Sequence, residues 1–350
     1  RDGVIRGRID SHILARLLVS HPQVMAGHDN SPTRRPGGSN TVFVTVIGGA
    51  NIDIHGTSDK ALRPNDSNPG TVHVSAGGVG RNIAENLARL GIDCRLITAI
   101  GDDHHGRTLM SLSNEAGIDT QYVQEVASAQ TSTYLSVIDA SGDMKVAIAD
   151  MQIIEHLTAE KLRPCEAVLH ESSLIVLDTN LPDSALAWLA NEFGEQTIFV
   201  DTVSTTKAPR IKRYLSSVHT LKTSAIEAEA LTGLEARTEP QLQEVAAQLH
   251  AAGVDRVFIT RGSRGVFYST ADEQGTIKLE QKNRVVRNAG GAGDAFLAGL
   301  AYSWLEDRDL ETTLRFALAA ADLTLSDPAT SSPALSLAAV NKVLEARDAN

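Results

Sequence analysis

The residues with the clearest capacity for chemistry lie late in the chain, where a carboxylate follows a group of glycines. Positions 288–296 read Asn-Ala-Gly-Gly-Ala-Gly-Asp-Ala-Phe, and an apolar helical pattern continues from there. Glycine backbone lets an anion approach closely, and a helix N-terminus adds unpaired amides and the positive end of its dipole. Asp294, just inside that helix, can accept a proton from a hydroxyl aimed at a bound phosphate. From this segment alone, an ordinary glycine-rich turn before a helix is an equal alternative.

A second glycine group opens another helix, near the start of the regular sequence. Positions 77–84 read Gly-Gly-Val-Gly-Arg-Asn-Ile-Ala, and apolar residues then recur at helical spacing. The segment does not match the dinucleotide-binding pattern G-x-G-x-x-G, because Ile83 stands where the third glycine belongs. The chain also contains no P-loop pattern of two glycines, a lysine and a hydroxyl residue. A phosphate site in this protein must therefore be of another kind.

The spacing of apolar residues predicts the strands and helices that position these two glycine-rich loops. Four apolar runs end in a polar residue, namely Asp178, Asp201, Lys222 and Thr260. After residue 170 such runs alternate with helical patterns, which predicts an α/β fold with a mostly parallel central sheet and helices on both faces. Ligands of such sheets gather beyond the carboxyl ends of the strands. Alternating residues at 71–75 and 131–149 instead predict a small antiparallel sheet outside the core, a β lid.

Composition limits the partners and the compartment. The 350 residues include 32 Lys and Arg against 43 Asp and Glu, and the net charge of −11 argues against nucleic acid or an anionic membrane as partner. Cys94 and Cys165 fit no metal spacing and no disulfide framework, which favours a reducing compartment. No apolar run approaches the roughly 20 residues of a membrane span, and no signal-peptide core opens the chain. We expect a cytoplasmic protein with a flexible extension at 1–40 and one main domain at 41–350.

Four segments, in a fixed order, resemble one enzyme family. The first and last are similar to the two signatures of the ribokinase-like (PfkB) carbohydrate and nucleoside kinases, and the two between resemble that family's nucleotide-side segments. The segments are 77–84, 220–222 with Glu227, 259–266 and Gly291-Ala292-Gly293-Asp294. The resemblance covers roughly residues 42–348. It implies a ribokinase-like fold with a β lid from about 55–75 and 130–150, and phosphoryl transfer from ATP to a small-molecule alcohol.

The resemblance also implies roles for the residues that match. Asp294 would be the general base for the substrate hydroxyl, and the amides of Gly291, Ala292 and Gly293 would hold the transferred phosphoryl group. Asp53, after the first strand, would accept two neighbouring sugar hydroxyls, one on each carboxylate oxygen. The implied substrate-binding residues are Asn51, Asp53, Gly77, Gly78, Asn82 and Asp150.

On the nucleotide side, the implied residues come from several segments. They are Lys222, Ser224, Glu227, Thr260, Gly262, Gly265, Asn288, Ala320 and Thr324. Glu227 would organise Mg²⁺ through water, but Ser224 stands where the family carries Asn, which puts Mg²⁺ affinity or phosphate positioning in doubt. Ala289-Gly290 stands where many relatives carry a hydroxyl residue, which leaves activation by a monovalent cation such as K⁺ open. For Ala320 and Thr324, core packing is an equal alternative to lining an adenine pocket.

Further segments resemble the pseudouridine kinase subgroup of the family. They are 46–53, 66–70, 149–151 and 199–204, together with Lys207 and Asn288. This likeness implies phosphorylation of the 5′-hydroxyl of pseudouridine. Two alternatives stay open: the same chemistry on ribose, another nucleoside or a ketose, and a protein that senses a nucleoside or sugar without turnover. The exposed edge of the expected lid favours a homodimer formed through it.

Overall fold

The computed structural model describes residues 42–278, 286, 290–327 and 329–348. The predicted extension at 1–40 and the predicted site residue Asn288 lie outside these ranges, as does Ala289. The strands are β1 (Phe43–Ile47), β2 (Asn51–Ser58), β3 (Gly70–Gly77), β4 (Asp93–Ile97), β5 (Ala99–Gly101), β6 (Gln124–Val126), β7 (Thr133–Ile138), β8 (Met144–Asp150), β9 (Leu174–Asp178), β10 (Ile198–Asp201), β11 (Thr220–Ser224), β12 (Arg256–Thr260), β13 (Val266–Ser269) and β14 (Gln274–Ile277). The helices are α1 (Val79–Arg89), α2 (His104–Glu115), α3 (Ala159–Leu162), α4 (Glu166–Glu171), α5 (Asp183–Phe193), α6 (Ala225–Thr232), α7 (Glu239–Ala251), α8 (Ala292–Leu305), α9 (Leu310–Leu325) and α10 (Leu337–Asp348).

The central sheet has the order β14-β13-β12-β11-β10-β9-β1-β4. From β4 to β12 every neighbouring pair is parallel, and only β13 runs antiparallel to its two neighbours, β12 and the edge strand β14. The predicted α/β fold with a mostly parallel sheet is therefore confirmed. Because the parallel strands share one direction, their carboxyl ends meet along a single edge of the sheet.

Helices cover both faces of this sheet because its central strands are apolar on both sides. In β1, Val44 and Val46 pack on one face, in a cluster with residues of α1, α8 and α9. Phe43 and Ile47 of the same strand pack on the other face, in a cluster with residues of α5, α6 and α7. No helix in the described ranges is long and apolar enough to cross a membrane.

The β lid is a separate four-stranded sheet in the order β3-β2-β7-β8. The hairpins β2–β3 and β7–β8 are antiparallel, as expected. The inner pair β2–β7 is parallel, so the expectation of a wholly antiparallel lid is corrected to a mixed sheet. The reason is topological: between β2 and β7 the chain passes through β4, α2 and β6 and returns in its original direction.

Candidate active site

A cavity of about 330 Å³ lies where the carboxyl ends of the parallel strands meet the N-termini of α1 and α8 beneath the lid. The predicted residues that line it are Asn51, Asp53, Gly78, Asn82, Lys222, Gly291, Gly293 and Asp294. Two of them, Asn82 and Asp294, are 212 positions apart in the chain and in hydrogen-bond contact. The fold therefore brings the two glycine-rich segments, which stand far apart in the sequence, to one site.

Asp294 is a buried carboxylate in the first turn of α8. Its Oδ2 accepts a hydrogen bond of 2.9 Å from the amide of Asn82, whose own Oδ1 accepts one of 3.3 Å from the hydroxyl of Ser331. Burial raises the pKa of Asp294 to about 7, and the negative charge of Asp201 adds to the rise. The charge of Lys222 and the bond from Asn82 oppose it. A carboxylate with this pKa is a stronger base than an exposed one, which suits proton abstraction near neutral pH.

The N-terminus of α8 begins with a left-handed glycine and lies beside a buried lysine. Gly291, its N-cap, has a φ of 77°, and a Cβ there would overlap the carbonyl oxygen of Thr330, so the turn requires glycine. The ammonium of Lys222 lies directly against Gly293 and donates a hydrogen bond of 2.8 Å to Asp201. Burial works to lower the pKa of Lys222, but the charges of Asp201, Asp294 and Glu227 outweigh it and raise the pKa. A fixed positive charge therefore lies beside the first turn of the helix, where the dipole also favours negative charge.

Asp53 lies at the lid side of the cavity, near the start of β2. Its Oδ1 accepts a hydrogen bond of 2.6 Å from the amide of Asn51. Gly77 on the paired strand packs against the Asp53 carboxylate, and a Cβ at this position would overlap it. Burial raises the pKa of Asp53, while the bond from Asn51 and the charges of His55 and Arg81 oppose the rise. The group is a fixed acceptor suited to a pair of hydroxyls.

Ser224 and Glu227 form a reciprocal cap at the N-terminus of α6. Oε2 of Glu227 accepts hydrogen bonds from the backbone of Ser224 at 2.9 Å and from the hydroxyl of Thr202 at 2.7 Å. Ser224, where the family pattern has Asn, therefore serves as a helix cap in this chain. In the part of the chain the structure describes, no group of three His, Cys, Asp or Glu side chains could hold a metal ion. The predicted contact of Glu227 with Mg²⁺ through water stays a prediction.

Three predicted nucleotide-side residues border the strand ends next to this cap. Thr260 ends β12 and its hydroxyl donates to the carbonyl of Thr223 at 3.3 Å. Gly262 and Gly265 bracket a single 3₁₀ turn and have φ values of 57° and 88°. A Cβ on Gly265 would overlap the carbonyl oxygen of Ile277, so this turn also requires glycine. Their predicted contact with ribose and phosphates stays a prediction.

Three other predicted residues are not brought to the cavity. Ala320 and Thr324 are fully buried inside α9, where Ala320 packs with Phe316, and the Thr324 hydroxyl donates to the Ala320 carbonyl at 3.3 Å. The alternative of core packing describes both, because neither side chain reaches the surface. Asp150 lies on the opposite face of the lid from Asp53 and lines a second, open cavity with the N-terminus of α2.

A model of the pfkB family carbohydrate kinases matches residues 42–337. The chain belongs to this family. A pfkB-family kinase is a phosphotransferase that uses ATP and an alcohol group of a sugar or nucleoside, and the anion site beside a buried carboxylate in this cavity suits that reaction.

Individual relatives agree with this membership. The chain is 38% identical over 303 residues to a pseudouridine kinase of Escherichia coli (strain K12), covering 87% of this chain and 96% of that protein. It is similar in structure to a carbohydrate kinase from Agrobacterium tumefaciens, with a TM-score of 0.76, 28% identity and coverage of 87% and 97%. An Arabidopsis thaliana ribokinase complexed with ribose and ATP shares the fold, with a TM-score of 0.79, 24% identity and coverage of 87% and 99%.

Sequence reasoning missed a group of residues in this pfkB kinase that line the cavity from the lid and from the strand ends. They are Ser132, Tyr134, Met151, Ile154, Asn180, Asp201 and Val203. Asp201 carried a usable signal, because it ends an apolar strand at the edge where ligands gather. The apolar residues of this group carried no such signal, because their sequence pattern is that of any half-buried strand or short helix.

Proposed function

We propose that this pfkB-family kinase transfers the γ-phosphoryl group of MgATP to the 5′-hydroxyl of pseudouridine, giving pseudouridine 5′-phosphate and ADP. The observation that carries the proposal is a single cavity with three parts. One part holds the carboxylate of Asp53, another holds the carboxylate of Asp294 at the α8 N-terminus, and a third includes the apolar and aromatic side chains of Tyr134, Met151 and Ile154. The 38% identity to a pseudouridine kinase over nearly its whole length supports the choice of acceptor.

In the proposed reaction, Asp53 and Asn51 hold the ribose and Asp294 takes the proton of the 5′-hydroxyl. Asn82 donates to Oδ2 of Asp294, which leaves Oδ1 for that hydroxyl. The hydroxyl oxygen forms a bond to the γ-phosphorus as the bond to the oxygen of the leaving ADP breaks, and the proton stays on Asp294 until solvent takes it. Bound Mg²⁺ neutralises charge on the phosphates of the nucleotide.

The residues at the N-terminus of α8 stabilise the charge that moves during transfer. The amides of Gly291, Ala292 and Gly293 and the ammonium of Lys222 face the transferred phosphoryl group in this proposal. They lie in a site already ordered by Asp201 and by the packing of Gly291 on Thr330, so no reorganisation is needed during the step.

The apolar part of the cavity wall suits a flat heterocycle. Tyr134, Met151 and Ile154 supply apolar and aromatic surface there, and Val203 borders it. A free pentose would leave this surface exposed to water, whereas a nucleobase would cover it. Asn180 adds a polar side chain to the cavity, and Lys207 donates a hydrogen bond to its Oδ1.

The test is ADP release from MgATP with pseudouridine, uridine, ribose and fructose offered separately, with the product identified by mass. Selective turnover of pseudouridine is the expected result. Turnover of another acceptor would keep the kinase and overturn the choice of pseudouridine. Binding of an acceptor without any ADP release would identify a sensor and overturn the proposal.

A further inference from the structure

Asp178 is a fully buried carboxylate at the carboxyl end of β9 that has no direct contact with the reacting groups of the proposed chemistry. Its Oδ2 accepts hydrogen bonds from the backbone of Gly49 at 2.8 Å and of Gly80 at 2.9 Å. Its Oδ1 accepts a third from the backbone of Asn180 at 2.9 Å. The side chain does not reach the cavity, so it contacts no substrate there.

The two amides on Oδ2 belong to the elements that carry the acceptor site. Gly49 lies in the turn between β1 and β2, directly before Asn51 and Asp53. Gly80 lies in the first turn of α1, two residues before Asn82, which donates to Asp294. One carboxylate oxygen of Asp178 therefore joins two elements. One is the turn that precedes Asp53, the residue predicted to bind the sugar, and the other is α1, whose Asn82 orients the proposed base.

The packing around this junction leaves no room for another arrangement. A Cβ on Gly48 would overlap Oδ2 of Asp178, and one on Gly80 would lie 2.8 Å from the Cα of Gly48. The amide of Arg81 also donates to the carbonyl of Gly49 at 3.1 Å, so the turn and the helix are in direct contact. The spacing between the two elements is thus set by close backbone approach around a single side chain.

A carboxylate is the side chain that this junction requires. Three N–H groups point at its two oxygens, and it lies at the N-terminus of α1, where the helix dipole favours negative charge. An asparagine of the same shape would turn an NH₂ group toward at least one N–H donor. That loss leaves a buried donor without an acceptor.

We propose that Asp178 is a positioning residue that holds the Asp53 turn and helix α1 at the separation an acceptor needs to reach Asp294. It acts on acceptor affinity and on turnover, and it leaves the nucleotide side unaffected because Lys222 and the α8 N-terminus are held by other contacts. The inference rests on the proposed function only in taking this cavity as the acceptor site, whichever alcohol binds there.

The first test is Asp178→Asn, assayed with the acceptor that the wild type uses. We expect KM for the acceptor to rise at least tenfold and kcat to fall, with KM for ATP within threefold of the wild type. The matched control is Thr45→Val, which removes a buried hydroxyl bonded to Ser172 at 2.6 Å in the middle of β1, the strand that pairs with β9. It should leave both KM values unchanged.

The second test keeps the carboxylate of Asp178 but displaces it from its present position. Gly48→Ala places a methyl group against Oδ2 of Asp178, and the same rise in acceptor KM is expected; this variant decides the question if Asp178→Asn does not fold. Unchanged acceptor KM, or equal rises for acceptor and ATP, would overturn the proposal. If the wild type binds an acceptor without turnover, the proposed function fails, and a calorimetric Kd for that acceptor at least tenfold weaker in the variants still supports the positioning role.

Discussion

At the scale of single residues, the chemistry depends on how buried charges are paired. Lys222 is neutralised and fixed by Asp201, which holds the ammonium beside Gly293. Asp294 has no such partner, because its direct contact is the neutral amide of Asn82. Asp201, Lys222 and Asp294 are all buried, so each charge acts strongly on the next. Because Asp201 is paired with Lys222 and Asp294 is not paired in this way, Asp294 is the carboxylate that can take up a proton.

The first prediction concerns the proposed base. Asp294→Asn keeps the shape and the buried packing but removes the proton acceptor, so turnover should fall by about 10²–10⁴-fold, the usual size of a general-base contribution. Binding of ATP and of the acceptor should be largely kept, which calorimetry can measure beside single-turnover rates. Near-normal turnover in a folded variant would contradict the assignment of Asp294.

The second prediction concerns pH. Burial and Asp201 raise the pKa of Asp294, and a base must be ionised to act, so kcat/KM for the acceptor should rise with pH through the neutral range. The groups that shift it include Lys222, whose positive charge opposes the rise, and Asp178, whose charge adds to it. Lys222→Met should therefore move the rising limb to higher pH.

The control for the pH experiment is Lys145→Met, which removes an exposed lysine from the lid hairpin. Lys145 pairs with Asp139 and Asp143, away from Asp294. Its pH profile should match that of the wild type. The role given to these charges would be contradicted if kcat/KM rose at about pH 4, the ordinary range of a carboxylate. It would also be contradicted if Lys222→Met did not shift the pH of that rise.

At the scale of elements, the N-terminus of α8 carries the third prediction. Gly291→Ala should abolish most activity, because the added methyl group meets the carbonyl of Thr330 and must displace the turn that presents the amides. Gly142→Ala is a matched control: its φ is 85°, but a Cβ there has open space around it. Both variants carry a backbone strain of roughly 1–2 kcal/mol.

Activity and thermal unfolding separate the two effects of that substitution. Gly142→Ala should lower the melting temperature slightly and keep full kcat/KM. Gly291→Ala should lose kcat and ATP affinity beyond what its own loss of stability explains. Equal activity in both variants would show that the close packing of Gly291 against the carbonyl of Thr330 does not order the proposed anion site.

The lid carries the fourth prediction. Tyr134 faces the cavity and Leu135, its neighbour on β7, faces the other side of the lid. If Tyr134 holds a nucleobase, Tyr134→Ala should lower kcat/KM for pseudouridine by about 10–100-fold, since aromatic contact with a base contributes roughly 1–3 kcal/mol. Its effect on ribose should be smaller. Leu135→Ala is the control, and an equal loss for pseudouridine and ribose would contradict base recognition by Tyr134.

These elements also show how far the sequence alone predicts the site. The glycine groups and Asp294 could be found because their residue types are needed wherever the backbone approaches closely or a helix begins. Asp53 and Asn82 are predicted only through the resemblance to the kinase family. Asp150 could not be placed, because alternation along a strand gives two faces but not which one meets the core. The wall formed by Tyr134, Met151 and Ile154 depends on how the lid sits over the sheet, which local patterns do not contain.

At the scale of the whole molecule, one face of the lid remains unexplained by the site. Val72 and Val74 on β3 and Val146 and Ile148 on β8 are 52–68% exposed, and Leu135 lies between them. Strand pairing aligns Val74, Leu135 and Ile148 in one row across the sheet. An exposed apolar face of this extent on a sheet with two open edges is typical of an interaction surface.

The last prediction is that this face pairs with its counterpart in a second copy of the chain. The row of Val74, Leu135 and Ile148 and the next row on the same face, with Val72, Val137 and Val146, contain no charged side chain, so a two-fold contact of these rows with their counterparts buries apolar surface. Ile148→Asp should convert a dimer into a monomer, measured as mass in solution by light scattering. Ile226→Asp changes an equally exposed isoleucine, 63% against 60%, on α6 and should leave the dimer intact. A wild type that is monomeric at micromolar concentration, or an Ile148→Asp dimer, would contradict a lid-to-lid contact, and the apolar face would then need another partner.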